Sequence, residues 1–405
     1  MKPVELKPGI CWTGAIDWAI RDFHGYYIPK GTSYNNYLVL DDEPVLIDGV
    51  KLDFASTCIQ NIEAVVPPSK IRHLIVNHIE PDHGGALSRL IELMPGVPVY
   101  CTQKGRDGLA RFHDTSKWNF RVVKTGDTLN TGKKTFLFIE TPMLHWPDSM
   151  MTFLREDRIL FSQDGFGQHI ASTQRFDDEF VACASMAELE DSVWDYYANI
   201  LMPFGPVIKG KLEELGRLGV EPEMIAPAHG VIWRKEPGKV LRTYQDMAAG
   251  KTDERVVIVY DTMWGGTGRM AQPIMQGLKD EGMDCRVIKL RETPTSVAIK
   301  EFWRARGCIV GSPTLNGHIF PYVGQFLIYL RGLKPKNRIV GAFGSYGWGG
   351  VAVKEIMETF GELKLECFAE TLTTNYAPAL SDQAAAYEFG RKFAQAAREY
   401  HKKFS

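Results

Sequence analysis

Four side chains that can bind a metal ion lie within six residues, directly after an apolar run. His78, Glu80, Asp82 and His83 follow the strand-like segment 71–76. So short a stretch cannot spread these groups around a helix, and burying them without partners is costly. The pattern predicts that a cation lies among them. It therefore requires a fold in which a rigid sheet presents ligands on a loop at a strand end.

Three further candidate ligands come shortly after other apolar, strand-like segments: His145, Asp164 and His229. A dinuclear site holds two metals about 3.5–4 Å apart and needs a bridging group with about three protein ligands for each metal. The seven candidates supply that number. Imidazole and carboxylate ligands without thiolate favour iron or manganese over a closed structural zinc site. A lone His145 or His229 would more often be a hydrogen-bonded core residue.

The length of 405 residues predicts two domains, and the polar segment 250–254 reads as the linker between them. We expect residues 1–250 and 254–405 to form the two domains. In the first, strand-like runs lie at 37–40, 71–76, 135–139 and 159–162, with helical spacing at 86–94 and 186–217.

After the linker, strands and helices alternate regularly. Strands are predicted at 256–260, 285–290, 308–311, 338–343 and about 365–369, with helices at 270–281, 297–306, 322–330, 351–360 and about 382–400. Five such strands indicate a doubly wound parallel sheet, which binds its ligand at the carboxyl ends of the strands.

Three loops at those predicted strand ends carry glycine, hydroxyl and aromatic side chains. The candidate ligand-binding residues on them are Thr262, Met263, Trp264, Gly265, Gly266, Thr267, Pro313, Thr314, Leu315, Asn316, Ser345, Tyr346, Gly347, Trp348 and Gly349. The first loop precedes a helix, whose amino terminus favours a phosphate. It lacks the Gly-Lys-Ser/Thr ending of a nucleotide-hydrolysing loop and the acidic residue expected for NAD. Each loop alone would fit ordinary turn chemistry, but together they predict flavodoxin-like binding of FMN.

Charge, hydropathy and cysteine spacing exclude several classes. A formal net charge of −2 without a basic stripe argues against nucleic acid as a partner. No apolar run approaches the roughly 20 residues that span a bilayer, and the first residues lack the apolar core of a secretory signal. The seven cysteines are scattered and never form Cys-x-x-Cys. This spacing argues against a disulfide framework, a zinc ribbon and a fused rubredoxin, and favours a reducing cytoplasm.

Across nearly its whole length the chain resembles the flavodiiron proteins. The resemblance rests on His78-Ile79-Glu80-Pro81-Asp82-His83, Leu144-His145-Trp146-Pro147-Asp148, Asp164-Gly165-Phe166-Gly167-Gln168, Ala226-Pro227-Ala228-His229-Gly230, Thr262-Met263-Trp264-Gly265 and Ser345-Tyr346-Gly347-Trp348. It implies a metallo-β-lactamase-like αββα sandwich followed by a flavodoxin-like five-stranded sheet.

The resemblance also implies roles for individual residues. The iron nearer the flavin would be held by His78, Glu80 and His145, and the second iron by Asp82, His83 and His229, with Asp164 bridging. His24 and His169 resemble family positions that steady bound substrate, although either would also suit a purely structural histidine.

The implied function is reduction of dioxygen to water, of nitric oxide to nitrous oxide, or of both, at a non-haem diiron site fed by FMN. Electrons would come from rubredoxin or a reduced deazaflavin coenzyme. A head-to-tail homodimer, possibly a dimer of dimers, would bring each flavin beside the partner's irons. The alternatives are a dinuclear metal hydrolase fused to a flavodoxin, against which Glu80 argues because hydrolases carry a histidine there, and a flavin electron carrier with a degenerate metal domain.

Overall fold

The structure is a computed structural model that describes residues 2–404. It divides into two compact units. The first contains residues up to 23 with 28–196 and 204–249, and the second contains 24–27, 197–203 and the described residues from 250 onward. The boundaries predicted from sequence, 1–250 and 254–405, stay a prediction.

Short strands and helices alternate up to residue 249. The strands are β1 (Val4–Lys7), β2 (Ile10–Trp12), β3 (Ala15–Asp17), β4 (Asp22–Phe23), β5 (Tyr26–Tyr27), β6 (Thr32–Tyr34), β7 (Tyr37–Val39), β8 (Val45–Ile47), β9 (His73–Ile75), β10 (Pro98–Cys101), β11 (Asn119–Val122), β12 (Thr128–Asn130), β13 (Thr135–Glu140), β14 (Met150–Leu154), β15 (Ile159–Gln163) and β16 (Met224–Pro227). The helices are α1 (Ala55–Glu63), α2 (Pro81–Gly84), α3 (Leu87–Glu92), α4 (Gln103–Phe112), α5 (Asp177–Cys183), α6 (Met186–Tyr196), α7 (Gly205–Arg217) and α8 (Pro237–Ala248).

Two sheets of the first unit share one apolar core. Their strand orders are β1-β2-β7-β8-β9-β10-β11 and β12-β13-β14-β15-β16. Ile47 and Ile75 from the first sheet and Phe138 and Phe161 from the second belong to one buried cluster. Helix α4 lies against β10 and β11. Its first turn is capped by Thr102, whose hydroxyl accepts the Gly105 N–H at 3.0 Å. The predicted αββα sandwich is confirmed.

The candidate ligands lie on the loops that leave these strands. His78 follows β9, Asp164 directly follows β15, and His229 follows β16. Because β15 and β16 pair in parallel, Asp164 and His229 leave the same edge of the second sheet. His145 lies on the turn that joins β13 to β14.

The helical stretch predicted over 186–217 is interrupted. After α6 the chain forms a π-helical turn at Tyr197–Leu201 and a 3-10 turn at Met202–Phe204 before α7 begins. Pro203 and Pro206 explain the break, because neither can donate a backbone hydrogen bond and each crowds the preceding turn.

The second unit contains a doubly wound sheet. Its strands after residue 250 are β17 (Asp253–Tyr260), β18 (Asp284–Lys289), β19 (Ala305–Leu315), β20 (His318–Ile319), β21 (Ile339–Tyr346), β22 (Glu366–Cys367) and β23 (Leu372–Asn375). Its helices are α9 (Gly266–Asp280), α10 (Thr295–Arg304), α11 (Pro321–Leu333), α12 (Ala352–Glu362) and α13 (Leu380–His401).

The order β18-β17-β19-β21-β22, with parallel pairing throughout, is that of the flavodoxin sheet. The predicted fold is therefore confirmed, with one difference. The fifth strand is split, because β22 and β23 each pair with β21 in parallel over separate stretches. Strand β20 pairs with the end of β19 in the antiparallel sense.

Helices α9 and α13 cross closely through facing glycines. A Cβ at Gly277 would lie 2.1 Å from the Tyr387 carbonyl oxygen, and a Cβ at Gly390 would lie 2.2 Å from that of Ile274. Only glycine permits this approach, so the two helices are fixed tightly against the same face of the sheet. Among the described helices, none combines the length and the apolar character needed to cross a bilayer.

Candidate metal centre and flavin pocket

The seven ligands predicted from sequence come together in the first unit. Their potential ligand atoms form two groups, each with all atoms within 4.8 Å of one another. One group contains His78, Glu80, His145 and Asp164, and the other contains Asp82, His83 and His229. All are buried except His145, which is partly exposed.

Asp164 lies between the two groups. Its Oδ2 is 3.1 Å from His145 Nε2 and 3.4 Å from His78 Nε2. Its Oδ1 is 3.1 Å from His83 Nε2 and 3.3 Å from His229 Nε2. One carboxylate oxygen thus faces each ligand group, which is the arrangement a bridging carboxylate needs.

The spacing of the remaining atoms fits two ions. Glu80 Oε2 lies 3.2 Å from His78 Nε2 and 3.1 Å from His145 Nε2, and Asp82 Oδ2 lies 3.1 Å from His229 Nε2. Two ligand atoms bound at about 2.1 Å to one ion, at right-angle or tetrahedral spacing, are about 3.0–3.4 Å apart.

Orphaned polar atoms support the same conclusion. Both carboxylate oxygens of Asp82, Nε2 of His83 and Oδ1 of Asp164 are buried without a hydrogen-bond partner among the described residues. Buried polar atoms are rarely left unsatisfied. Because these atoms converge on the space between the groups, the residues fit a pair of metal ions.

Two further carboxylates hold the ligand loop in place. Asp148 Oδ2 accepts hydrogen bonds from His78 Nδ1 at 2.9 Å and from the Ile79 N–H at 3.0 Å. Asp48 Oδ1 accepts the Asn77 N–H at 2.6 Å. A carboxylate on the outer nitrogen of a ligand histidine fixes its tautomer and orientation, and Nε2 of His78 is left to face Glu80 and Asp164.

The carboxylates also perturb the histidines. Burial lowers the pKa of His145, but Asp164 and Glu80 outweigh burial and raise that pKa to about 9. Burial likewise lowers the pKa of His229, whereas Asp164 and Asp82 raise it to about 10. For Asp164, burial favours a higher pKa, and the surrounding imidazoles hold it well below its usual range. The cluster therefore requires cations, which are protons on imidazole when no metal is bound.

Of the two histidines predicted to act on bound substrate, His169 lies beside the second ligand group. Its ring centroid is 5.0 Å from that of His229, and the rings of Phe23 and Tyr196 lie at 4.5 Å and 5.0 Å. Thr32 Oγ1 is 2.8 Å from Nδ1 of His169 and 3.4 Å from Nδ1 of His229. The aromatic rings make this side of the centre apolar.

His24 is placed differently. It is exposed, has a φ of +54°, and belongs to neither ligand group. Its role, like that of His169, stays a prediction.

The second unit contains a cavity of about 510 Å³ at the carboxyl ends of β17, β19 and β21. It is lined by Met263, Trp264, Gly266, Arg269, Pro313, Thr314, Leu315, Asn316, Gly317, Ser345, Tyr346, Gly347, Trp348, Tyr376 and Ala377. A volume of this size is typical of a cofactor site. Trp264 and Trp348 are each 88% exposed, so both offer wide aromatic faces at the cavity.

Most of the predicted flavin-binding residues line this cavity, but Thr262, Gly265, Thr267 and Gly349 do not. Two of these four shape the loops instead. Gly265 has a φ of +84°, and Thr267 Oγ1 lies 2.8 Å from Ser345 Oγ, joining the first loop to the third.

The sequence-based prediction omitted Arg269, Gly317, Tyr376 and Ala377. Tyr376 was missed because β23 was not predicted. The run 371–375, rich in threonine and followed by Tyr-Ala-Pro, was the available signal for a strand and turn. Arg269 lies one helical turn into α9, and it is the one charged side chain among the cavity-lining residues within 2–404.

Comparisons with known proteins agree with this geometry. A family model described as ODP family beta lactamase matches residues 32–230, and a flavodoxin model matches 258–390. A nitric oxide reductase of Moorella thermoacetica is 43% identical over 97% of this chain and 98% of its own length. The crystal structure of the flavodiiron protein from Giardia intestinalis is 32% identical, superposes with a TM-score of 0.96, and is matched over 99% of its length and all of this chain.

The chain belongs to the flavodiiron protein family. A further solved member, the rubredoxin oxygen:oxidoreductase of Desulfovibrio gigas, is 37% identical with a TM-score of 0.95 over 98% of this chain and 99% of its own. An anaerobic nitric oxide reductase flavorubredoxin of Aeromonas hydrophila is 38% identical, but this chain covers 79% of its length. As a flavodiiron protein the chain is an oxidoreductase that uses FMN and a non-haem diiron site.

Proposed function

We propose that this flavodiiron protein reduces dioxygen to water, nitric oxide to nitrous oxide, or both. Each dioxygen takes four electrons and four protons to give two water molecules. Two molecules of nitric oxide take two electrons and two protons to give nitrous oxide and water. Relatives named for each reaction, the Moorella and Desulfovibrio enzymes, support both substrates.

The observation that carries this proposal is the arrangement around Asp164. Its two oxygens face different ligand groups, and the first group contains Glu80 where a hydrolase would have a neutral imidazole. An anionic ligand stabilises the oxidised state of iron, which suits redox chemistry better than hydrolysis. The proposed ligands are His78, Glu80 and His145 for one ion and Asp82, His83 and His229 for the other, with Asp164 shared.

When bound, the iron pair supplies a site where a diatomic gas binds and accepts electrons, and FMN supplies those electrons one at a time. The protein positions and protects this chemistry. Asp148 would orient His78, the rings of Phe23 and Tyr196 would keep water away from His229, and the neighbouring His169 would exchange a proton with bound substrate.

Replacing Asp164 with asparagine tests the proposal. The variant keeps the side-chain shape but loses the charge that holds the two ions together, so gas consumption should stop while FMN stays bound. The readouts are iron and flavin content after anaerobic reconstitution, followed by electrode measurement of dioxygen and nitric oxide consumption. Asp177→Asn is the matched control, because Asp177 is equally buried but accepts backbone N–H groups at Arg234, Lys235 and Glu236 and belongs to neither ligand group among the described residues.

Wild-type protein with full iron and FMN that consumes neither gas would refute the proposed reaction. Unchanged turnover in Asp164→Asn would refute the bridging role alone.

We further propose that the electron donor is rubredoxin or a reduced deazaflavin coenzyme, that the protein acts in the cytoplasm, and that its unit of activity is a head-to-tail homodimer. Seven free cysteines are compatible with a reducing compartment. Supplying each reduced donor in turn to the enzyme under nitric oxide or dioxygen identifies the donor by its rate of oxidation.

Subunit mixing tests the dimer. Asp164→Asn disables the iron pair of one chain, and Gly347→Trp fills the flavin cavity of the other at a point where even a Cβ would lie 3.1 Å from the Tyr376 ring. A head-to-tail heterodimer of the two inactive chains holds one intact pair of iron site and flavin. Equal mixing should therefore restore about a quarter of the wild-type activity. No recovery, with heterodimer formation verified by mass, would rule out sharing between subunits.

A further inference from the structure

An ion pair between a buried carboxylate and a partly exposed guanidinium lies at the start of the first flavin loop. Asp261 directly follows β17 and is 0% exposed. Its Oδ1 accepts the Nε–H of Arg291 at 2.8 Å, and its Oδ2 accepts the Arg291 backbone N–H at 3.0 Å. Arg291 lies on the short turn after β18, so the pair joins the ends of two neighbouring strands.

The same two residues hold Thr262 from both sides. Asp261 Oδ1 accepts the Thr262 N–H at 2.6 Å, and Arg291 Nη2 donates to the Thr262 carbonyl oxygen at 2.6 Å. The peptide groups on either side of Thr262 are therefore fixed before the loop turns into α9. Thr262 Oγ1 is buried and has no hydrogen-bond partner among the described residues, so this residue is held through its backbone groups.

Arg291 also contacts the segment that follows the second flavin loop. Its guanidinium lies 5.3 Å from the centre of the Phe320 ring and 5.8 Å from that of Tyr322. The backbone N–H of Phe320 donates to Ser312 Oγ at 3.0 Å, at the foot of the loop that lines the cavity. One guanidinium therefore contacts both the loop before α9 and the segment that closes the loop after β19.

We propose that the Asp261–Arg291 pair is a positioning element for the phosphate of FMN. This inference rests on the proposed assignment of the cavity to FMN. Arg291 neutralises a buried carboxylate that stands next to the phosphate-binding residues along the chain, and it fixes the orientation of Thr262. Neither residue lines the cavity, so the pair acts through the loop backbone and not by touching the flavin ring.

Loss of the guanidinium has two consequences for a dianionic ligand. The carboxylate of Asp261 stays buried with its charge uncompensated, and it repels the phosphate. The Thr262 carbonyl loses its donor, so the loop no longer holds a single conformation. Riboflavin, which has the same ring system without the phosphate, is spared both effects.

The test measures binding of FMN and of riboflavin to the full-length protein after its flavin is removed, by quenching of flavin fluorescence. Arg291→Gln should raise the Kd for FMN more than about tenfold while changing the Kd for riboflavin less than about twofold. Arg291→Lys keeps the charge but cannot reach Asp261 and the Thr262 carbonyl together, so it should restore only part of the FMN affinity.

The matched control is Arg391→Gln. Arg391 forms a similar pair with Glu281, with Nε and Nη2 each 2.8 Å from the same carboxylate oxygen, but it lies on α13 and does not line the cavity. This variant should bind both flavins like the wild type.

Three results would overturn the proposal: unchanged FMN affinity in Arg291→Gln, an equal loss of affinity for both flavins, or full recovery in Arg291→Lys. A wild-type protein that binds neither flavin in this cavity would instead overturn the assignment of the cavity itself.

Discussion

Replacing Asp148 with asparagine should weaken iron binding at one of the two positions and leave the other nearly unchanged. Asp148 is 3% exposed, and it contacts the first ligand group through His78 and the loop through Ile79. Burial lowers the pKa of His78, but hydrogen bonds to Asp148 and Glu80 and the charge of Asp164 raise it well above its usual range. Asp148 therefore stabilises positive charge on or beside this imidazole, whether a proton or a metal supplies it.

Loss of an outer carboxylate partner of a ligand histidine lowers metal affinity about 10- to 100-fold. That corresponds to about 1.4–2.7 kcal/mol. Asp148→Ala should be worse than Asp148→Asn, because it also leaves the Ile79 N–H and the outer nitrogen of His78 without an acceptor. Each such buried group costs about 1–3 kcal/mol.

The assay is anaerobic competition for iron between the protein and a chelator, followed by iron analysis and by flavin absorbance as an internal standard. The variant should lose the iron of the His78 group at a lower chelator concentration than the wild type does. It should hold the iron of the His229 group normally. Asp41→Asn is the control, since Asp41 Oδ2 accepts hydrogen bonds from Thr131, Lys133 and Lys134 on a loop outside the ligand groups. Equal weakening of both irons, or no change, would show that Asp148 does not act through His78.

In the ion-free protein the pKa values are about 9 for His145 and about 10 for His229, so both imidazoles should release protons when iron binds near pH 7. The apparent affinity for iron should therefore rise as the pH rises toward those values. Calorimetry in buffers of different ionisation enthalpy measures the number of protons released. Because the pKa values of these two histidines are raised in the folded protein, their protonation stabilises the ion-free fold. This stabilisation is complete below pH about 6.5 and is lost as the pH rises through about 9–10, which urea unfolding at several pH values would detect. Gly390→Ala should lower the free energy of unfolding by about 1–3 kcal/mol, because a Cβ there meets the backbone of the facing helix; an unchanged urea midpoint would contradict the close crossing. Thr32→Val removes the hydroxyl beside His169 and should slow gas reduction about tenfold at unchanged iron and FMN content. Normal turnover would show that this contact has a structural role alone.

The second unit was predictable from sequence because its central strands are buried on both faces. Residues Val256–Val259 and Ile309–Val310 are almost fully buried, so each strand reads as a continuous apolar run bounded by polar turns. The strands of the first unit are shorter, and several have partly exposed faces, as β1 and β11 do. Runs of three or four mixed residues have no detectable periodicity, so the sequence predicts fewer strands in this unit than the structure contains. The αββα class follows from the family motifs instead.

The clustering of the proposed metal ligands was predictable for a different reason. Four of them lie within six residues that span the loop after β9 and the start of α2, and each of the others belongs to a short motif of its own. Arg269 and Tyr376 had no such motif, and their place in the cavity depends on the helix and strand that carry them. Residues brought to a site by distant pairing leave no local pattern, so only the folded structure identifies them.

Both units fix a ligand-bearing loop with a buried carboxylate that is not itself among the proposed ligands. Asp48 accepts the Asn77 N–H, Asp148 accepts the Ile79 N–H, and Asp261 accepts the N–H of the residue that follows it. These carboxylates are at most 4% exposed. Packing around each carboxylate fixes its position, and the carboxylate fixes the loop backbone that donates to it. Because the accepted amides lie within one residue of His78 or directly before the flavin cavity, loss of one such bond displaces ligand atoms before it unfolds the chain. Asparagine keeps one acceptor oxygen but loses the charge and the second acceptor, so at any of these three positions it should reduce the free energy of iron or FMN binding by more than it reduces the free energy of unfolding.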